Sequence, residues 1–521
     1  MRKLKFGVFL AILAIMVAMP ATIAFARVGQ IGFFGGITEG VRLPLTTDIL
    51  LTQPNTGNAG NFTARNLVYK EMLWLGGGEP VEFEGLIDII VTNTRGRNAS
   101  EEAGTRTVRY IIRPSAMTAA GVSLNRNILF NVNWHRVGNQ IVETYTVASW
   151  TETQIINGQT FTIDATRSGH QISVIRDITP GVTYYRGDVS MEAVFNTTGG
   201  SVTHMVIGEI YGFESAWAAT ETHRLNGIVI APTWQMQYQL VPSVAVSKEL
   251  EYSQNEPTLI SFFGNYREIT HNQSGLNYLI TVMPNQFYGQ PTAGRTTIRN
   301  FNRFEQLIAP NLTAFRGHPA YQDVRRLYAM QIIDVRTTPP EFFPLDQAIN
   351  RAEFFTMLAR AIKLPVDDAL LNPPAPRNNR PVQVNLLFPD LWPNRWDYAF
   401  LRAVNDAGIA VGRGDGHFHP DLPITRQEAY VTTLRSLGLS ILGLDIPIAP
   451  FADSHNIAYW AMNDINAAAR IGLISPDENG NLHPQQYMTR AQAVALINHL
   501  LEYMRHELLQ DYTENIINFM N

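Results

Sequence analysis

The chain predicts a multidomain fold in two parts: an all-β, sandwich-like N-terminal region, then an all-α C-terminal bundle of three repeats. Two observations predict it. Up to about residue 300, β-branched and aromatic residues alternate with polar ones, as from Thr105 to Ile112, and turn pairs such as Asn157-Gly158 separate the runs. Beyond about residue 310 the period turns helical and one phrase returns three times: Ile349-Asn350-Arg351-Ala352-Glu353, Ile424-Thr425-Arg426-Gln427-Glu428 and Met488-Thr489-Arg490-Ala491-Gln492.

Taken in order, residues 1–26 carry the pattern of a secretory signal. Arg2, Lys3 and Lys5 form a basic start, Phe6 to Met19 an apolar stretch, and Ala24-Phe25-Ala26 a small-residue cleavage site. No later run approaches the ~18 apolar residues of a membrane span. Residues 27–305 form the β region, one or two sandwiches. Repeat one covers 315–365, a Pro- and Asn-rich linker 366–386, repeat two 387–440, and repeat three 450–510 with a helical tail to 521.

Composition narrows the chemistry. The 521 residues include no cysteine, which excludes thiolate metal sites and cysteine nucleophiles. The formal charge of −5 becomes about −8 once the three signal cations are removed, so nucleic acid is not the expected partner. Apart from Lys70, Lys248 and Lys363, every cation after the signal is arginine, the residue suited to bidentate carboxylate recognition. Metalloprotease, serine-hydrolase and nucleotide-loop motifs are absent, and no cofactor is expected. Glu71, Glu79, Glu82, Glu84 and Glu192 leave a glycosidase pair open, although carboxylates scattered on alternating strands more often face solvent. The expectation is a non-enzyme without a metal site.

In the repeated phrase an apolar residue precedes Asn or Thr, and Glu or Gln follows three places later. That is a capping box with a hydrophobic residue at N′, so a helix starts at each copy. Capping does not explain the arginine at N1, where the helix dipole opposes a cation. Either an external anion is expected there or an internal carboxylate neutralises the charge, and the phrase alone leaves the two open.

The self-similarity reaches further. Phe388-Pro389-Asp390 aligns with Phe451-Ala452-Asp453, Trp396 with Trp460, Gly408-Ile409 with Gly472-Leu473, and Gly416-His417-Phe418-His419-Pro420 with Gly480-Asn481-Leu482-His483-Pro484. This pattern resembles the S-layer homology domain over roughly residues 315–500. The resemblance implies three tandem repeats in a pseudo-threefold bundle that holds pyruvylated secondary cell-wall polysaccharide in grooves between repeats. Carried over, Arg351, Arg426 and Arg490 would hold the ketal carboxylate, helped by Thr425, Thr489 and the helix N-termini. Asp390, Asp453, Trp396 and Trp460 would line the sugar side. From the residues themselves, packing in the core is favoured for both tryptophans, and helix capping is an equal explanation for both aspartates.

The first copy departs from the pattern. Gly317 stands where Asp is expected and Gln331 replaces the Gly stop, so its fold is expected to survive and its groove is not. The whole predicts a cell-surface protein anchored to wall polysaccharide, with self-association in a surface layer, a wall-anchored polysaccharide-acting enzyme, or an adhesin as competing roles for the β region.

Overall fold

A computed structural model describes residues 34–38, 62–93, 102–253, 265–282, 291–298, 302–371, 386–443 and 451–512. The signal segment and residues 372–385 of the linker lie outside them.

Among the described residues, fifteen strands build the N-terminal region: β1 (Ile37–Thr38), β2 (Phe62–Leu73), β3 (Val81–Asn93), β4 (Ala103–Pro114) and β5 (Val122–Val137). Next come β6 (Gln140–Ile156), β7 (Gln159–Ile163), β8 (Gly169–Ile178), β9 (Val182–Thr197) and β10 (Gly200–Ser215). The series ends with β11 (Ala218–Ile230), β12 (Gln235–Ser253), β13 (Asn265–Val282), β14 (Thr292–Ile298) and β15 (Arg303–Leu307). All pairings are antiparallel and follow chain order, except that β7 and β8 share the column between β6 and β9, and β14 and β15 both pair with β13. The region is all-β as expected, but it is one continuous meander around one core rather than separate sandwiches.

Strand length explains the difference. β12 has 19 residues, against a usual 5–6, so the sheet twists enough to curl its ends together. Ser274 on β13 donates to the Thr38 carbonyl of β1 at 2.8 Å. Alternation sets the faces: on β5, Leu124, Ile128, Phe130, Val132 and Trp134 are buried while Asn125, Asn127, Asn131 and Asn133 face out. At Asn157-Gly158 both residues take positive φ (51° and 82°), the type I′ turn that joins β6 to β7.

The same alternation carries charge inward. Arg126 reaches Glu71 at 2.7 Å and Glu152 at 2.7 Å, with the Phe34 ring 4.3 Å from the guanidinium. Burial pushes the Glu71 carboxyl above its usual range although Arg126 opposes the shift. Glu71 is therefore a core residue and not the solvent-facing carboxylate that alternation suggests; Glu79, Glu82 and Glu192 are exposed.

Six main helices follow: α1 (Tyr321–Ala329), α2 (Arg351–Ala361), α3 (Tyr398–Asp406), α4 (Arg426–Leu437), α5 (Met462–Arg470) and α6 (Arg490–Glu502). Gln331, which replaces the Gly stop of the first copy, adopts φ 57°, close to Gly408 (70°) and Gly472 (69°). The stop geometry survives without glycine.

The β region is bonded to the C-terminal ends of α2 and α4. Trp217, in the turn between β10 and β11, donates Nε1–H to the Ala361 carbonyl at 2.7 Å. Tyr184 donates its hydroxyl to the Leu437 carbonyl at 3.0 Å, and the Gly181 amide donates to Ser436 at 2.7 Å. Carbonyls that a helix end leaves without partners are thus satisfied by the sheet. Around Trp217 stand Lys363 and Lys248, with Nζ 4.6 and 5.7 Å from the ring. Lys363 follows α2 in the left-handed region at φ 51°, and Leu364 N–H bonds the Ala359 carbonyl at 2.8 Å, closing a Schellman turn.

Two measurements test these contacts. Arg126→Met leaves two buried carboxylates unpaired and is expected to cost about 3–5 kcal/mol in denaturant unfolding. Burial, reinforced by the Lys248 charge, pushes the Lys363 amine down to about 8 from 10.5. The folded state then binds fewer protons than the unfolded one between those values, so stability contributed here rises with pH from about 8 to 10.5. Thermal melts across that window should show the rise in the parent protein and not in Lys363→Met.

Candidate functional site

The three repeated phrases close into a ring. Ile424 N–H bonds the Ile349 carbonyl at 3.1 Å, Met488 N–H bonds Ile424 at 3.0 Å, and Ile349 N–H bonds Met488 at 2.9 Å. All three side chains are buried. The expected capping boxes are present at Asn350/Glu353, Thr425/Glu428 and Thr489/Gln492.

Ring closure consumes the helix ends. The N1 and N2 amides of α2 bond the Leu422 and Pro420 carbonyls, at 3.0 and 2.9 Å. Those of α4 bond Gln486 and Pro484, at 2.9 and 3.0 Å, and those of α6 bond Gln347 and Leu345, both at 2.9 Å. The Thr425 and Thr489 hydroxyls accept from the N3 amides of their own helices. The helix N-termini and both threonines are thus occupied within the chain, which corrects the expectation that they support a bound carboxylate.

Two of the three N1 arginines are internally neutralised. Arg351, only 3% exposed, donates to the Phe418 carbonyl at 3.0 Å, the Val411 carbonyl at 3.3 Å and Glu428 at 3.2 Å. Arg490 reaches Glu353 at 2.8 Å with 11% of its side chain exposed. Each pairs with the capping glutamate of the next helix in the ring, not with a carboxylate of its own repeat. Arg426 makes no ion pair among the described residues; its guanidinium lies 5.8 Å from the Tyr430 ring.

Asp390 and Asp453 do not cap a helix through their side chains, which corrects that alternative. Asp390 accepts from the Phe418 and His419 amides at 2.9 and 2.7 Å, and Asp453 from Leu482 and His483 at 2.8 and 2.7 Å. Each clips its repeat's loop to the segment that leads into the first helix. Burial raises both carboxyls, but the paired amides outweigh it and hold both below the usual carboxylate range.

The tryptophans correct the core assignment. Trp396 is 45% exposed and Trp460 51%, and each stands at the rim of a groove. The open groove, about 340 Å³, lies between α2 and α4. Arg351, Arg413, Glu428, Arg435 and Trp460 contribute its polar and aromatic walls. Glu428 also takes Arg413 at 3.0 Å, while Arg435 bonds Asp464 through Nε at 3.1 Å. The corresponding groove of the first copy, walled by Asp334, Glu353, Arg360 and Trp396, holds only about 10 Å³. Asp334 bonds Arg336 at 2.8 Å there and reaches Arg360 at 3.6 Å, which fills the space.

Arg413 and Arg435 were missed by sequence reasoning. A signal existed for the second: Arg360, Arg435 and His499 stand nine places after each N1 arginine. Arg413 sits in the glycine turn and has no such register.

A ring of capped helices with a cationic, tryptophan-rimmed groove defines a repeat-built binding module attached to a β region. Residues 388–429 and 450–494 match the S-layer homology domain, and the chain is a cell-surface, wall-associated protein. Among curated relatives, an endoglucanase of Bacillus sp. (strain KSM-635) is 29% identical over 121 residues, 23% of this chain and 12% of that protein. A cellulosome-anchoring protein of Acetivibrio thermocellus is 28% identical over 167 residues, 32% of this chain and 34% of that one. An S-layer protein of Bacillus licheniformis is 28% identical over 111 residues, 21% and 12% of the two chains. The chain spans about a third or less of each of these relatives. No helix among the described residues is long and apolar enough to cross a membrane.

The aspartate clips carry a pH signature. Their depressed carboxyls contribute stability that is fully present above the unfolded value near 3.9 and is lost as pH falls through the folded value. Asp390→Asn with Asp453→Asn should flatten the acid limb of a stability-versus-pH curve below about pH 4. At pH 7 the pair should cost roughly 1–3 kcal/mol per clip, read by denaturant unfolding.

Proposed function

We propose that the chain is an exported, non-enzymatic surface protein, tethered non-covalently to pyruvylated secondary cell-wall polysaccharide by three C-terminal S-layer homology repeats. The β region is held outward for a structural or ligand-binding role, with self-association into a surface layer as its route to assembly. The observation that carries this reading is the open groove, where Arg351, Arg413 and Arg435 face Glu428 and Asp464, leaving one cation uncompensated.

In that groove Arg435 is engaged through Nε, so its terminal nitrogens offer a fork to a ketal carboxylate. The half-exposed Trp460 presents an apolar face on which a sugar ring can lie. Glu428 keeps Arg351 and Arg413 in place: burial raises its carboxyl, but the Thr425 amide and both arginines prevail and keep it ionised. Relatives named for anchoring and for surface layers support the same role. A non-enzymatic β region is supported by the placement of Glu71 and Glu152, which are both buried and share Arg126.

Co-sedimentation with purified cell walls tests the reading. The parent protein should pellet with intact walls and fail to pellet once the carboxylate ketals have been removed by mild acid. Arg413→Ala with Arg435→Ala should weaken pelleting at least tenfold, about 1.4 kcal/mol or more, with the melting transition retained. Undiminished pelleting of that variant would overturn the groove assignment.

A further inference from the structure

We infer that β15 is a pairing edge for a second copy of this chain: two β15 strands meet antiparallel about a two-fold axis at Phe304 and carry one sheet through two molecules. The inference deepens the self-association part of the proposed function by naming one contact and its register. It makes no use of the wall-binding groove.

The curled sheet leaves one corner open. β14 pairs with β13 from Ser274 to Ile280 and lies against β2. From Tyr266 to Thr270 the same edge of β13 pairs with β15 instead. The pairing of β11 with β12 stops at Ser247, so the ends of β12 and β13 form a three-stranded flap with β15. Among the described residues no other strand bonds β15 on its outer side. A strand with a single antiparallel partner leaves alternate N–H and C=O groups pointing away, which is a template for an added strand. Arg303, Phe304, Glu305 and Gln306 are all exposed, Phe304 by 60%.

The residues on that edge select the partner. Alternation puts Arg303 and Glu305 on one face of β15 and Phe304 on the other. About a two-fold axis at Phe304, Arg303 of each copy lies opposite Glu305 of its partner, and the two phenyl rings face each other. An axis one residue further, at Glu305, would set two carboxylates together, so charge fixes the register. Neither Arg303 nor Glu305 makes a salt bridge among the described residues. Within the sheet Glu305 stands opposite Glu268 of β13, whose charge Lys248 already takes, so an arriving guanidinium meets a carboxylate without a counter-ion.

The Phe304 face is prepared as well. Arg267 is paired with Glu251 and holds its guanidinium 5.1 Å from the Phe304 ring, so its charge is offset before a second copy arrives. The far edge of the flap does not suit the same operation. On β12, Glu249 and Glu251 share a face, and a two-fold axis at Leu250 would set carboxylate against carboxylate.

Sedimentation velocity of the full chain tests the contact. The parent protein should pass from monomer to dimer as concentration rises. Arg303→Glu and Glu305→Arg should each weaken the dimer at least about tenfold, because each sets like charges opposite one another, and the two combined should restore it. The chain has no cysteine, so Phe304→Cys supplies a single thiol and decides independently of the charge variants. The axis sets the two Cα atoms about 4.5–5.5 Å apart, within disulfide range, and mild oxidation should give a covalent dimer. Asn125→Cys, on the outward face of β5, should stay uncrosslinked. A parent protein that stays monomeric, a combined exchange that fails to restore the dimer, or growth into open chains overturns the inference. Wall co-sedimentation keeps the two readings apart: a monomeric parent that pellets with walls sinks the β15 contact alone, and a dimeric parent that ignores walls sinks the anchoring reading alone.

Discussion

Three backbone hydrogen bonds among Ile349, Ile424 and Met488 are the constraint on which the C-terminal half depends. Each residue gives its amide to one neighbour and its carbonyl to the other, so no helix entrance can form without the remaining two. Burial of all three side chains makes an unpaired amide there costly. Everything that defines the grooves follows from this closure: the capping boxes, the loops laid across the N1 and N2 amides, and the reach of each arginine to the next helix. The aspartate clips at Asp390 and Asp453 belong to the same logic, because the loops must be rigid to present their carbonyls to a neighbouring helix.

Helix polarity then fixes what lies at the other end. With the entrances of α2 and α4 committed to the ring, their final carbonyls need donors, and the β region supplies Trp217, Tyr184 and Gly181. Tyr512 extends the seam, accepting from the Gly212 amide at 3.1 Å and donating to the Tyr185 carbonyl at 2.8 Å. The sheet and the ring entrances therefore occupy opposite ends of the same two helices. Two of the three lysines that follow the signal segment meet at this seam, and one accepts a left-handed backbone usually left to glycine. The Arg505 guanidinium lies against the same Trp217 ring, 4.8 Å from it, so three cations gather on one indole.

What was legible in the sequence was local. The capping boxes need only four consecutive residues, so the starts of α2, α4 and α6 could be read directly. The Asn157-Gly158 hairpin was legible for the same reason. The number of sheets was not, because curling depends on strand length and on which distant strands meet. Glu71, Arg126 and Glu152 fall on inward positions of alternating strands, but polarity argued for the outward face until a single guanidinium was found to serve both carboxylates. Arg351 and Arg490 posed the same problem at longer range: their partners lie 77 and 137 residues away and become neighbours only after the ring closes. Trp396 and Trp460 misled in the other direction, since a tryptophan entering an amphipathic helix looks like core when the groove beside it is not yet visible.

The N1 arginine now has a structural explanation that capping lacked. Arg351 satisfies two backbone carbonyls and one carboxylate at once through Nε, Nη2 and Nη1. A lysine could not serve three acceptors in that fixed arrangement, so the residue is needed for building the ring before any ligand is considered. A groove opens where that structural demand is relaxed. In the open groove two arginines share the single Glu428, which leaves one positive charge over, while Arg435 is matched by Asp464. In the first copy Asp334 supplies the compensating carboxylate to Arg336 and Arg360, and the groove closes. The balance of guanidinium against carboxylate, corner by corner, therefore separates positions that hold the ring together from positions left free to hold something else.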